Sequence, residues 1–345
     1  MPFPFELPPL ILRVLAALPG DVPVALAGGA VRDLLLDRPV HDYDFIVPSG
    51  AMRTARKLAD KIGAAYFPLD EQRDYARLVL QDGERSLIDF SAYQGADIET
   101  DLRGRDFTIN AIAIDLRDPS QPIDPTGGAN DLIKKQIVPC SPASLRNDPV
   151  RVLRGVRLAN ALEARLPPET LRLMRETVPL LSSVSVERQR DELFKILNLR
   201  QASAAVRILD TLGALPYVLP ELTALKGLQQ SAPHVNEAWE HTLDLLNRLQ
   251  SILDVLSLQY EEEGASSLIL GMAVLKLGRY RTQIAGHFAE QLNPDRSLRA
   301  LLNFAALYHD VGKPLTRTVD AGGRTRFFEH DHLGADVVVS RAHAL

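Results

Sequence analysis

The hydropathy pattern of this chain changes period once, at about Asp148, and that change sets its architecture. Upstream, short apolar runs alternate with brief amphipathic stretches. After a proline-rich start, residues 1–19 read as a short amphipathic helix. Val24 to Ala27 reads as a strand running into the Gly28-Gly29 turn, Ala30 to Leu36 as a short helix, and Asp42 to Val47 as a half-buried strand. Met52 to Ile62 is helical, and Ala76 to Leu80 pairs with Ser86 to Phe90 across the Asp82-Gly83 turn. Ile109 to Asp115 holds another strand, and the Pro- and Gly-rich stretch from Asp118 to Gly128 closes the region. Downstream the strand signals stop. Val150–Leu162, Glu169–Thr177, Val186–Leu197 and Ala202–Leu212 all place apolar residues at helical spacing. A chain of 345 residues exceeds one ordinary core. The pattern therefore predicts an α+β protein: a head with a small mixed sheet over 1–145, a helical part over 146–225, and a second helical part over 226–345.

The net charge of −5 lacks the basic excess of a typical nucleic-acid binder. Between Arg146 and Asp210, however, 12 Lys and Arg face 8 Asp and Glu. On charge alone, solvated helix faces account for that excess. Aromatic residues, at 6%, are too sparse for a surface built on stacked rings. Cys140 is the single cysteine, which excludes an internal disulfide and fits a reducing cytoplasm. The start MPFPFELPPLILRVL has no basic region and is broken by prolines, so it does not read as a signal peptide. No apolar run is long enough to span a bilayer, so no membrane partner is expected.

The sharpest local feature is Asp42-Tyr43-Asp44. On a strand, residues i and i+2 share a face, so both carboxylates project together. Two acids on one face call for a cation, and hard carboxylate oxygens suit Mg²⁺. Asp89, on the later apolar strand, is the candidate third acid. Gly28-Gly29 precedes a short helix, a setting in which a backbone can approach phosphate closely. It is neither a Walker loop nor a dinucleotide fingerprint.

The stretch LAGGAVRDLLLDRPVHDYDFIV resembles the first catalytic motif of the tRNA nucleotidyltransferase and bacterial poly(A) polymerase family, within the DNA polymerase beta superfamily. Four further motifs follow in that family's order. They are Asp101-Leu102 with Arg105-Asp106-Phe107-Thr108-Ile109-Asn110-Ala111; Asp124-Pro125-Thr126-Gly127-Gly128 with Asp131-Leu132; Asn147-Asp148-Pro149-Val150-Arg151 with Leu153-Arg154 and Arg157; and Val186-Glu187-Arg188 with Glu192-Leu193 and Lys195. The resemblance implies a polymerase-beta-like head followed by a helical neck and body. It assigns two Mg²⁺ ions to Asp42 and Asp44, with Asp89 completing the catalytic set. It assigns the nucleotide to Gly28, Gly29, Arg32, Arg105, Asp106, Asn110, Asp148, Arg151, Arg154 and Arg157. Asp148 and Arg151 would read the base, the carboxylate accepting from the amino group of C or A and the arginine donating to the neighbouring ring acceptor. Asp148 before Pro149 also reads as a helix N-cap with proline at the first helical position. Glu187 and Arg188 read as braces of the helical part. Two positions depart from the family pattern: Gly104 stands where an arginine is usual, and Asn147 where a glutamate is usual.

In the last part, His234, Trp239-Glu240-His241, Leu307-Tyr308-His309-Asp310-Val311-Gly312-Lys313 and Phe327-Phe328-Glu329-His330 resemble a partial HD phosphohydrolase domain. That likeness gathers His241, His309, Asp310 and His330 as a second divalent-metal site. The implied activity is addition of C, A or both from CTP and ATP to the 3′ end of tRNA. The rivals are a poly(A) polymerase and an HD phosphohydrolase with an inactive head. Poly(A) enzymes tend to carry a basic segment after the acidic strand, where this chain has Pro48-Ser49-Gly50.

Overall fold

The computed structural model describes residues 7–40, 42–82, 84–232, 235–259, 267–293 and 296–345. Gly83 of the expected turn and His234 lie outside the described residues. The chain forms two compact units, one of 1–147 with 165–170, the other of 148–164 with 171–345.

The first unit is built on one seven-stranded sheet. Its strands are β1 (Ala25–Ala27), β2 (Asp42–Val47), β3 (Ala65–Asp70), β4 (Tyr75–Asp82), β5 (Glu84–Ala92), β6 (Ala113–Asp115) and β7 (Pro122–Ile123). They lie in the order β3-β4-β5-β2-β1-β6-β7. Only β2 and β5 pair in parallel. Its helices are α1 (Pro9–Ala17), α2 (Gly29–Leu35), α3 (Ala51–Ile62), α4 (Ile98–Arg103), α5 (Gly128–Ile133) and α6 (Pro142–Asn147).

Alternation along the strands sorts the two faces of the sheet. Tyr43, Phe45 and Val47 of β2, with Ile88 and Phe90 of β5, join the main core beside Ile11 and Val14 of α1 and Ala55, Leu58 and Ile62 of α3. Phe45 stacks on Phe90 at 5.1 Å. The opposite face holds only a small cluster, with Ala25, Ala27, Ile46, Leu102, Ala111 and Ala113. Asp42, Asp44 and Asp89 belong to that less covered face. The N-terminus of α3 is capped by the Asp74 carboxylate, which accepts from the Ala51 and Met52 amides at 2.8 Å each. β3 is an addition to the expected elements. It carries Pro68 at the sheet edge, where a missing amide costs no ladder bond.

The second unit is mainly helical. It contains α7 (Arg151–Ala161), most of α8 (Pro168–Thr177), α9 (Val186–Leu197), α10 (Ala202–Leu212), α11 (Leu215–Val218), α12 (Ala238–Val255), α13 (Leu268–Leu277), α14 (Arg281–Ala289), α15 (Leu298–Tyr308), α16 (Lys313–Thr316) and α17 (His330–Ala344). The expectation of no strands beyond Asp148 is corrected by two short antiparallel pairs. These are β8 (Gln291–Asn293) with β9 (Arg296–Ser297), and β10 (Arg317–Val319) with β11 (Thr325–Phe327). Runs of two or three residues are too short to show alternation. Phe194 of α9 stacks on Phe304 of α15, and Phe304 on Tyr308. No helix of the described residues is long and apolar enough to cross a membrane.

Candidate active site

β2 and β5 run in parallel register with Asp44 opposite Asp89, which sets the two acids side by side. Asp42 is exposed, Asp44 half-buried and Asp89 buried. Burial pushes the Asp44 carboxyl up to about 6; Arg105 opposes that shift, while Asp89 and Asp42 add to it. Asp89 is held differently. Its Oδ1 accepts from Arg77 Nε at 2.8 Å, and its Oδ2 accepts from Arg77 Nη2 at 2.8 Å and from the Tyr75 hydroxyl at 2.6 Å. Beside these acids lies a cavity of about 410 Å³, lined by Asp44, Phe45, Arg73, Tyr75, Asp89, Ser91, Gln94 and Arg105. A larger hollow of about 620 Å³, between the ends of α1 and β2 and α3, holds none of the sequence-predicted residues.

The glycine turn packs directly against this acidic face. Gly28 has φ +74°, and a Cβ there would lie 2.8 Å from Arg105 Nη1 and 3.1 Å from Asp44 Oδ2. Arg32, one turn into α2, forks onto Asp33 at 2.9 and 2.8 Å and donates through Nη1 to Asn110 Oδ1 at 2.7 Å. Asn110 Nδ2 donates in turn to Asp106 Oδ1 at 3.1 Å. Arg105 donates through Nε and Nη2 to Asp101 Oδ2, 3.2 Å each. The structure thus brings Gly28, Gly29, Arg32, Arg105, Asp106 and Asn110 together with Asp42, Asp44 and Asp89. The Asp124-Pro125-Thr126-Gly127-Gly128 motif underpins this layer. Asp124 accepts from the Gly128 and Ala129 amides at 2.8 and 2.9 Å, capping α5. Gly128 allows a contact no side chain could: a Cβ would sit 1.9 Å from the Thr108 carbonyl oxygen.

In the second unit, Asp148 and Arg151 are neighbours, with Arg151 Nε 3.7 Å from Asp148 Oδ2. The expected N-cap is corrected. α7 begins at Arg151, with Val150 at its N-cap position. The Asp148 carboxylate instead accepts from Arg188 Nη2 at 2.7 Å. Asp148 Oδ1 is buried and has no hydrogen-bond partner among the described residues. Arg154 and Arg157, expected at a nucleotide, donate through Nε to the buried Glu192 at 3.2 and 2.8 Å. Burial alone would raise the Glu192 carboxyl, but Arg157 and Arg154 hold it below its ordinary value. Sequence reading missed the parts played by Arg77, Tyr75 and Glu192.

A second cluster centres on Asp310. His241, His309 and Asp310 bring donor atoms within 4.8 Å of one another, and His330 Nε2 lies 3.7 Å from Asp310 Oδ1. His309 Nδ1 and His330 Nδ1 face the carbonyls of Ala306 and Phe327 at 2.8 and 2.7 Å, which turns both Nε2 atoms toward the carboxylate. Lys313 Nζ is also 2.7 Å from Asp310 Oδ2. Burial would raise the Asp310 carboxyl, but His309 and Lys313 hold it down at about 2.

An open sheet face with carboxylates in register and a glycine turn pressed against them is the architecture of a nucleotidyltransferase head. Residues 24–138 match the family described as the poly A polymerase head domain, and residues 165–226 match that described as the probable RNA and SrmB-binding site of polymerase A. The chain belongs to the tRNA nucleotidyltransferase and poly(A) polymerase family. It is 34% identical to a CC-adding tRNA nucleotidyltransferase of Geobacter sulfurreducens, over 83% of this chain and 59% of that protein. It is also 34% identical to an A-adding tRNA nucleotidyltransferase of Deinococcus radiodurans, over 91% of this chain and 62% of that protein. The chain thus spans about three-fifths of the length of these relatives. A crystal structure of a tRNA nucleotidyltransferase complexed with a primer tRNA and an incoming ATP analog superposes with a TM-score of 0.58 at 26% identity, covering 82% of this chain and 80% of that one.

Proposed function

We propose that this protein adds C, A or both to the 3′ end of tRNA, from CTP and ATP, with release of pyrophosphate. The observation that carries this reading is the acidic face: Asp44 in register with Asp89, Asp42 two residues before it, and Gly28 packed against Asp44. The residues fit a divalent cation. The donors are hard oxygens, and burial raises the Asp44 carboxyl, with Asp89 and Asp42 adding to the shift and Arg105 opposing it, so a divalent cation there would favour its ionised form. Asp42 and Asp44 would hold Mg²⁺, two ions by family likeness. Bound there, Mg²⁺ supplies activation of the attacking hydroxyl and neutralisation of the leaving pyrophosphate.

The chain's own residues do the rest. The Gly28-Gly29 turn offers backbone to the triphosphate, with Arg105 beside it as a fixed positive charge. The RNA 3′-oxygen attacks the α-phosphorus in line, and the bond from that phosphorus to the bridging oxygen of pyrophosphate breaks. The hydroxyl proton passes to solvent or a carboxylate of the site. Asp148 Oδ1, buried and unpartnered, is an acceptor suited to the exocyclic amino group of C or A, with Arg151 beside it as donor. U and G present a carbonyl at that place and are refused. In this proposal residues 1–145 carry the chemistry and 146–225 select the nucleotide and bind RNA. Residues 226–345 form an HD-like helical domain whose His241, His309, Asp310 and His330 would hold a second divalent metal in place of the Lys313 ammonium that now lies 2.7 Å from Asp310 Oδ2. The mixed imidazole and carboxylate donors favour a transition metal there. A cytoplasmic setting accords with tRNA as the substrate.

The test is incorporation of labelled CTP or ATP, with Mg²⁺, into tRNA ending before CCA, after the first C, or after CC. Extension that stops at the mature end, and vanishes in the Asp42→Ala/Asp44→Ala protein, supports the reading. A long A tail on any RNA makes the protein a poly(A) polymerase, and no incorporation refutes both.

A further inference from the structure

Asp89 differs from its neighbour Asp44 in being already answered by cations and donors of the protein itself. β4 and β5 pair Arg77 directly opposite Asp89, so hairpin register rather than side-chain chance sets the guanidinium on the carboxylate. The fork is bidentate, 2.8 Å on each arm, and Tyr75 adds a third donor at 2.6 Å. An ionised carboxylate offers about four lone-pair positions, so about one remains, on Oδ1. Any cation that Asp42 and Asp44 hold at this face meets a third acid whose charge Arg77 has largely cancelled.

We propose that Arg77 is a positioning residue that sets the divalent-cation affinity of the head, by competing with the cation for the Asp89 carboxylate. The inference rests on the metal reading of the acidic face given above. Arg77 is suited to the task because it cannot lose its charge and its planar fork matches a carboxylate. Its guanidinium holds Asp89 in one orientation and keeps three adjacent acids from acting as one deep cation trap. Without it, the face carries one more uncompensated negative charge, on Asp89 in register with Asp44.

The experiment is a titration of the full chain with Mn²⁺ alone, followed by the electron paramagnetic resonance signal of free Mn²⁺, without RNA or nucleotide. It is carried out in a His309→Ala background, which weakens the imidazole cluster as a second class of sites. Arg77→Met is expected to tighten Mn²⁺ binding on the order of tenfold. Arg77→Lys is expected to fall between, since an ammonium lacks the fork. Adding Asp89→Asn to Arg77→Met is expected to return the affinity to within about twofold of native, the coupling that identifies Asp89 as the residue through which Arg77 acts. A purely structural role for Arg77 would shift the melting temperature without this pattern. Unchanged or weaker Mn²⁺ binding by a folded Arg77→Met protein overturns the inference, and if that variant fails to fold, Arg77→Lys with unchanged affinity does so. If Asp42→Ala/Asp44→Ala binds Mn²⁺ as the parent does, the metal reading itself fails, and the two failures are told apart by that control.

Discussion

Replacing Glu192 by Gln is expected to loosen the pairing of α7 with α9 and to lower the stability of the helical unit. Glu192 is 6% exposed and accepts from Arg154 at 3.2 Å and Arg157 at 2.8 Å. Breaking a buried pair by removing one partner costs about 3–5 kcal/mol. Arg154 and Arg157 are 33% and 25% exposed, so water recovers part of that cost and about 2–3 kcal/mol remains. For a unit of this size that is a fall of roughly 5–10 °C in Tm. The pH dependence has a definite sign. The folded carboxyl lies below its ordinary value, so its contribution is full above the unfolded pKa and is lost as pH falls through the folded one. The gap between native and Glu192→Gln proteins should therefore be widest near neutrality and close in acid. Calorimetry at a series of pH values reads both quantities. Equal melting near neutrality, or a gap that does not change with pH, refutes the brace.

Gly28→Ala is expected to impair nucleotide use by at least tenfold in kcat/KM, since a side chain at φ +74° costs about 1–3 kcal/mol and its Cβ meets Arg105 and Asp44; native kinetics would contradict the close approach. Gly128→Ala is expected to destabilise the head by about 3 kcal/mol or more, because the clash is with the Thr108 backbone; urea unfolding measures it, and a native midpoint would count against the packing. Arg188→Ala removes the 2.7 Å partner of Asp148. It is expected to raise the KM for CTP and ATP about tenfold and relax rejection of UTP; unchanged selectivity in competition assays would remove Arg188 from base reading. His309→Ala is expected to weaken Co²⁺ binding at the Asp310 cluster at least tenfold. The Co²⁺ absorption spectrum reads this, and an unaltered titration would dissolve the cluster as a site.

Much of this was legible in the sequence because it is local. The alternation in Asp42–Val47 and the helical spacing of Val186–Leu197 and Ala202–Leu212 correspond to elements with those same bounds. What escaped depends on partners distant in sequence. Asp148 looks like a cap until Arg188, forty residues on, takes its carboxylate. Arg154 and Arg157 look like nucleotide ligands until Glu192 arrives from α9. β3 escaped because its side chains are mostly exposed and carry Pro68, which erases the alternation. Arg77 was within reach. Pairing the two strands about residue 83 puts it opposite Asp89, so the hairpin register alone could have named it.

The parallel pairing of β2 with β5 bears on how the head folds. Residues 48–83, with α3, β3 and β4, separate the two strands, so no local hairpin can bring Asp44 to Asp89. The hairpin of β4 and β5 can close early and deliver Asp89 already neutralised by Arg77. Docking of that hairpin against β2 is then the step at which the acids first meet. The same docking buries Phe45 of β2 against Phe90 of β5, so apolar burial offsets the repulsion of the carboxylates where they meet.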